Sequence, residues 1–201
     1  MESEPILLRI YRSDGTIESF ALRNAAQASG ICRKTEAGRL FAQPRLIVAG
    51  DCFKSVFVTG RILRVDFVQN NLKCWEFPGG YADIVELTEE EFRSHAHLDQ
   101  PELMARREEC TPVGDLLVSF LELRMTGGTR FFLMAEFPVK LPAENQSLMR
   151  FLLSSVVFHM RLPCGGIGLV NLANLVSYTV YPGVAQVPAD TWLAERPAEP
   201  K

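Results

Sequence analysis

The side chains of this chain best suited to chemistry are few and scattered. Cys164 follows His159 by five residues across a proline-containing turn. A thiolate nucleophile needs such a neighbouring base, but a buried free cysteine is ordinarily inert. Cys164-Gly165-Gly166-Ile167-Gly168 has the glycine content of a phosphate loop. A phosphate loop must present backbone amides at the start of a helix, whereas this run leads into an apolar strand, so a hairpin turn is expected. His95 and His97 stand two apart beside Asp99 on a predicted helix. Residues so spaced point to different sides, and no metal or cofactor is expected. There is no G-x-S-x-G elbow. An enzyme whose groups converge from several strands would leave no linear motif, so catalysis stays open, with a non-enzymatic role expected.

Binding chemistry has more to draw on. Arg45, Lys54, Arg61 and Arg64 lie in a basic stretch, with residues 1–75 carrying 11 Lys/Arg against 7 Asp/Glu. With Asn70 they make up a candidate nucleic-acid surface, because cations on phosphate provide most of such affinity. Gly60, Ile62, Asp66 and Asn70 also stand at the spacing of the first motif of the Sm-like RNA-binding fold. That resemblance implies that Asp66 and Asn70 help to hold a base. The chain departs from it at Gln69, and Pro78-Gly79-Gly80-Tyr81 stands where an Arg-Gly loop belongs. Phe158, Val170-Asn171 and Leu175 follow an order similar to that near the end of LytTR-type DNA-binding domains, without the expected basic residues around Asn171. Neither likeness assigns a family.

The apolar candidates are Phe131 and Phe132, with Leu117 and Leu153. Adjacent strand residues point to opposite faces, so one of Phe131 and Phe132 must leave its own core, for another part of the chain, a helix or a partner. Leu116-Leu117-Val118 and Leu152-Leu153 are likewise apolar on both faces. Sheets of this kind are covered on both sides, which makes these residues a candidate protein interface.

The elements that position these groups recur. Residues 8–22, broken by Asp14-Gly15-Thr16, resemble 120–135, broken by Gly127-Gly128-Thr129. Cys52 matches Cys164, and 56–58 and 62–63 match 168–170 and 174–175, at offsets of 111 to 113 residues. Repetition at this scale predicts one β-rich unit duplicated. Alternating or β-branched runs predict strands at 6–11, 16–22, 46–49, 55–59, 61–68, 72–77 and 82–87. Further strands are predicted at 116–125, 129–137, 156–161, 167–171 and 175–181. Thr88-Glu89-Glu90-Glu91 is a capping box opening a helix to about His97. A second short helix is expected at 101–109 and an amphipathic one at 145–155, while 25–43 reads as loop with a helical turn or two.

The predicted class is α+β, mostly antiparallel sheet. It comprises a first β-rich repeat over 1–87, an acidic helical connector over 88–113, a second repeat over 114–187 and a loose tail over 188–201. The connector region is acidic, with residues 76–115 carrying 3 Lys/Arg against 11 Asp/Glu, and it is expected to be solvated. Five scattered cysteines, an odd number, and no signal peptide suggest reduced thiols in the cytoplasm. Apolar runs fall well short of the roughly 20 residues of a spanning helix, so no membrane association is expected. The expected function is a non-enzymatic binding or assembly protein engaging a protein partner or a second copy, the alternative being a nucleic-acid binder.

Overall fold

The computed structural model describes residues 5–22, 38–69, 83–99, 116–138, 155–181 and 192. Its strands follow the predicted ones closely. β1 (Ile6–Arg12) and β2 (Ile17–Leu22) form an antiparallel hairpin whose turn places Gly15 at a φ of 84°. The Asp14 carboxylate closes that turn by accepting from the Thr16 amide at 3.0 Å and the Thr16 hydroxyl at 2.6 Å. A short helix α1 (Gly38–Ala42) precedes a second hairpin, β3 (Arg45–Ala49) and β4 (Lys54–Val58). A single 3-10 turn, Thr59–Arg61, leads into β5 (Ile62–Val68), which pairs with β1.

Next come β6 (Asp83–Leu87) and α2 (Glu89–His95). The Thr88 hydroxyl accepts from the Glu91 amide at 3.2 Å, and the Glu91 carboxylate accepts from the Thr88 amide at 2.8 Å, which completes the predicted capping box. β7 (Leu116–Met125), a 3-10 turn at Thr126–Gly128 and β8 (Arg130–Pro138) form a third hairpin. β9 (Val157–Arg161) and β10 (Ile167–Asn171) form a fourth, followed by a 3-10 turn, Leu172–Asn174, and β11 (Leu175–Tyr181), which pairs with β7. The strand expected at 72–77 and the helices at 101–109 and 145–155 lie outside the described residues, except for Ser155.

The protein is mostly β with few helices. Nine strands share one mixed sheet in the order β11-β7-β8-β6-β9-β10-β5-β1-β2, and β3-β4 form a separate pair. Among the described residues every pairing is antiparallel except β6 with β9, which meet in parallel at Val85 and Arg161. β6, expected to close the first repeat, pairs instead with β8 and β9.

Three apolar clusters hold the sheet. One gathers Leu121, Leu123, Phe131, Leu133, Phe158 and Met160 with Leu63 of β5 and Ile84 of β6. A second gathers Ile6, Leu8, Ile10, Phe57, Val65 and Phe67 with Val157, Ile167 and Leu169 of β9 and β10. β5 and β10 send residues into both, so each is buried on both faces, and that is why Ile62-Leu63-Arg64-Val65-Asp66-Phe67 reads as a continuous interior run. The third cluster anchors the helix that opens the expected acidic connector. Phe92 of α2 is fully buried against Phe120, Phe132 and Tyr181, its ring centroid 5.0 Å from that of Phe132. The acidic face of α2 meets solvent, but its one large apolar residue closes the outer face of β7 and β8.

Candidate functional site

Among the described residues, the most deeply buried ion pair centres on Arg64, which the alternation of β5 turns inward. Two residues on, and so on the same face, Asp66 receives its Nε at 2.5 Å and its Nη2 at 2.8 Å. Glu86 of β6 receives Nη1 on one oxygen and Nη2, at 2.8 Å, on the other. The guanidinium is thus held bidentately by two carboxylates. Aromatic rings complete the enclosure, with its central carbon 4.7 Å from the centroid of Tyr11 on β1 and 5.2 Å from that of Phe131 on β8. Arg64 and Asp66 are almost wholly buried and Glu86 largely so.

Burial works against a charge on Arg64, but Glu86 and Asp66 together hold its guanidinium above its ordinary range. At Asp66 burial is the largest influence and pushes the carboxyl upward, against the pull of Arg64. Burial, and then the charge of Asp66, raise the Tyr11 phenol. Room for this group comes from Gly168 on β10, directly opposite Asp66. A Cβ there would crowd the Met160 methyl, the Asp66 carboxylate and Leu162.

Outside the cluster lies a cleft of about 370 Å³ bordered by Arg9, Arg12, Thr129, Arg130 and Cys164. It exists because the sheet curls until two hairpin tips meet: Gly127, at a φ of 81°, lies so close to the Ser13 carbonyl oxygen that a Cβ would collide with it. Two of the three arginines at the rim are held in ion pairs. Arg12 pairs with Asp14 at 2.7 Å and Glu18 at 3.3 Å, and Arg130 pairs with Glu89 at 2.8 Å and with the buried Glu122 at 3.7 Å. The chemistry available is charge neutralisation and hydrogen bonding. The cluster clamps β1, β5, β6 and β8 together.

The sequence-derived candidates fall in different places. Arg64 differs from the surface cation expected of it, being interior and saturated by carboxylates. Asp66, assigned a base by the Sm-like resemblance, is committed to Arg64, and Asn70 lies outside the described residues. Arg45, Lys54 and Arg61 are exposed, yet Arg45 and Lys54 sit at opposite ends of the β3-β4 hairpin, about 13 Å apart at strand rise. Arg61 borders a groove with Arg12 and Glu18. Asn171, the residue of the LytTR-like likeness, is buried and donates to the carbonyls of Thr59 at 3.2 Å and Ile62 at 3.0 Å.

Phe131 and Phe132 do point to opposite faces: Phe131 is buried by the first core and Arg64, and Phe132 is half-buried against α2. The side chains of Leu117 and Leu153 lie outside the described residues. His159 is buried in β9 while Cys164 is exposed on the β9-β10 turn, so the thiol and imidazole occupy different environments. The glycine run is that hairpin turn, with Gly165 and Gly166 at φ values of 81° and 112°. Among the described residues no three His, Cys, Asp or Glu side chains converge on a metal position, and no helix is long and apolar enough to cross a membrane.

Sequence reasoning missed Tyr11 and Glu86. The charge pair at Arg64 and Asp66, two apart inside an apolar strand, was the signal that an internal ion pair existed. No pattern within the sequence points to Glu86, 22 residues away and on another strand.

No protein-family model, curated protein or solved structure matches the chain.

Proposed function

We propose that this chain is a duplicated β module acting as a non-enzymatic binding or assembly protein, engaging a protein partner or a second copy through its sheets. The observation that carries this reading is the recurrence of one pairing scheme. β1 joins β2 and β5 while β3 joins β4, and β7 joins β8 and β11 while β9 joins β10. A 3-10 turn precedes β5 and another precedes β11, 113 residues apart, the upper end of the offset legible in the sequence. In each set a hairpin tip is tied to that turn, by the Ser13 amide on the Arg61 carbonyl at 2.9 Å and by the Thr126 hydroxyl on the Asn174 side chain at 3.2 Å. The two turns then meet through Asn171 and Asn174, which donate to carbonyls at Thr59 and Ile62.

Support for binding comes from apolar side chains left in solvent on strands, Ile47, Val56, Val58, Val176 and Tyr178 among them. A reducing, cytoplasmic setting suits Cys52 and Cys164, which are exposed free thiols. The nucleic-acid alternative draws less support, since its cations are dispersed and Arg64 is enclosed.

Two measurements test the reading. An experimental structure in which residues 5–69 and 116–181 superpose with matching strand order supports the duplication, and unrelated orders refute it. Light scattering on the full chain, with capture from its native lysate, tests the assembly role: a monomer that retains no partner refutes it. Affinity for duplex or single-stranded nucleic acid that falls steeply with salt would favour the alternative.

A further inference from the structure

The β10-β5 ladder joins the two sets of strands, and the same scheme provides a second pair of strands with no such ladder. At the common offset of 113 residues β4 is the counterpart of β10, and β11 that of β5. β10 and β5 pair Ile167 with Phe67, Gly168 with Asp66, Leu169 with Val65 and Val170 with Arg64. All of β10 and nearly all of β5 is buried. Their counterparts are open: among the described residues β4 pairs with β3 alone and β11 with β7 alone. Val56 is 48% and Val58 57% exposed on β4, and Val176 is 67% and Tyr178 45% exposed on β11.

Transferring the β10-β5 register places Val56 opposite Tyr178, so these two exposed side chains face one another, and the transferred ladder ends one pair on, at Phe57 opposite Ser177, beside the bulge at Val176. Apart from a bulge at Val176, β11 is undefended, because its sequence Leu-Val-Ser-Tyr-Thr-Val-Tyr contains no charge and no proline. Natural edge strands are ordinarily blunted by such residues.

Resting on the duplication reading above, we propose that these edges pair between two copies of this chain. β4 of one molecule adds to β11 of the other, and the reciprocal ladder forms by two-fold symmetry. A second copy fits because it presents both complementary edges at once. Pairing within one chain is opposed by how firmly β4 is seated. Val48 and Phe57 are buried in the second core, and Phe20 packs on Phe53 and Phe57 at centroid distances of 5.8 and 5.9 Å. Swinging β4 to its own β11 would strip that packing.

The test is light scattering of the full chain over a dilution series, with Val56→Glu, Tyr178→Lys and the double variant. The expected result is a dimer whose dissociation constant rises at least tenfold in each single variant and recovers in the double variant, where opposite charges face across the ladder. Val176→Lys is a second, independent disruptor, and circular dichroism melts confirm that each variant folds. A dimer indifferent to all three substitutions overturns the edge pairing while leaving the assembly reading standing. A monomer at every concentration overturns the edge pairing, and if nothing is captured from native lysate the assembly reading falls with it.

Discussion

At the scale of single residues, Arg64 shows how a strongly charged side chain is kept inside a sheet. Removing one member of a buried ion pair costs about 3–5 kcal/mol, mostly because an uncompensated charge remains. Arg64→Ala would leave Asp66 and Glu86 facing each other without a cation, so a loss of that order is expected in urea-denaturation midpoints. Replacing Arg64 by Met, Asp66 by Leu and Glu86 by Gln together removes all three charges of the cluster and should cost markedly less. His159 gives a pH-dependent counterpart. Burial pushes its imidazole down from 6.5 to about 4, so the unfolded chain takes up a proton at a pH where the folded chain does not. Stability is therefore full above about pH 6.5 and declines as pH falls toward about 4. The loss is on the order of 3 kcal/mol at 1.36 kcal/mol per pKa unit. Denaturation curves at pH 7.5 and 4.5 should show the decline in the native protein and a smaller one in His159→Leu.

Elements bring their own tests. The capping box at Thr88 and Glu91 satisfies two amides that would otherwise be orphaned at the start of α2. Thr88→Ala is expected to destabilise by about 1 kcal/mol, with Thr88→Ser recovering most of it, both read from thermal melts. Hairpin tips are more exacting. Gly166 holds a φ of 112° and lies against the Phe67 carbonyl, where a Cβ cannot fit. Gly166→Ala should therefore cost more than the roughly 1 kcal/mol of a lost glycine conformation alone, because β10 must also move away from β5. If the melting temperature of Gly166→Ala equals that of the native chain, the close approach of these two strands is wrong.

For the whole molecule, the two main cores are interleaved. The cluster around Ile6, Leu8 and Ile10 depends on Val157, Ile167 and Leu169, and the cluster around Leu121 and Leu133 takes in Leu63. Sets of strands that trade core residues in this way lose independent stability. A single cooperative unfolding transition is expected, coincident by far-UV circular dichroism and by intrinsic fluorescence. A fragment ending at residue 113 should show no cooperative transition, since the strands that fill its core are gone. Two resolved transitions in the intact chain would show that the cores are separable.

The amino-acid sequence by itself determined the local elements. Period-two apolar alternation, Asp-Gly and Gly-Gly turns and the Thr88 capping box depend on residues a few positions apart, and the strands expected at 6–11, 61–68, 167–171 and 175–181 followed from them. An offset of 111 to 113 residues is also legible in residue types, because strand positions of like burial ask for similar side chains. What only the tertiary structure decided was which strands became neighbours. Nothing near Glu86 in the chain announces Arg64, and nothing in α2 announces that Phe92 closes the far side of β7 and β8. Arg64 read as a surface cation because charge is a property of one residue, whereas burial and compensation belong to the four strands that meet around it. Long-range pairing depends on the summed burial of many side chains across the sheet, and no short stretch of sequence carries that sum.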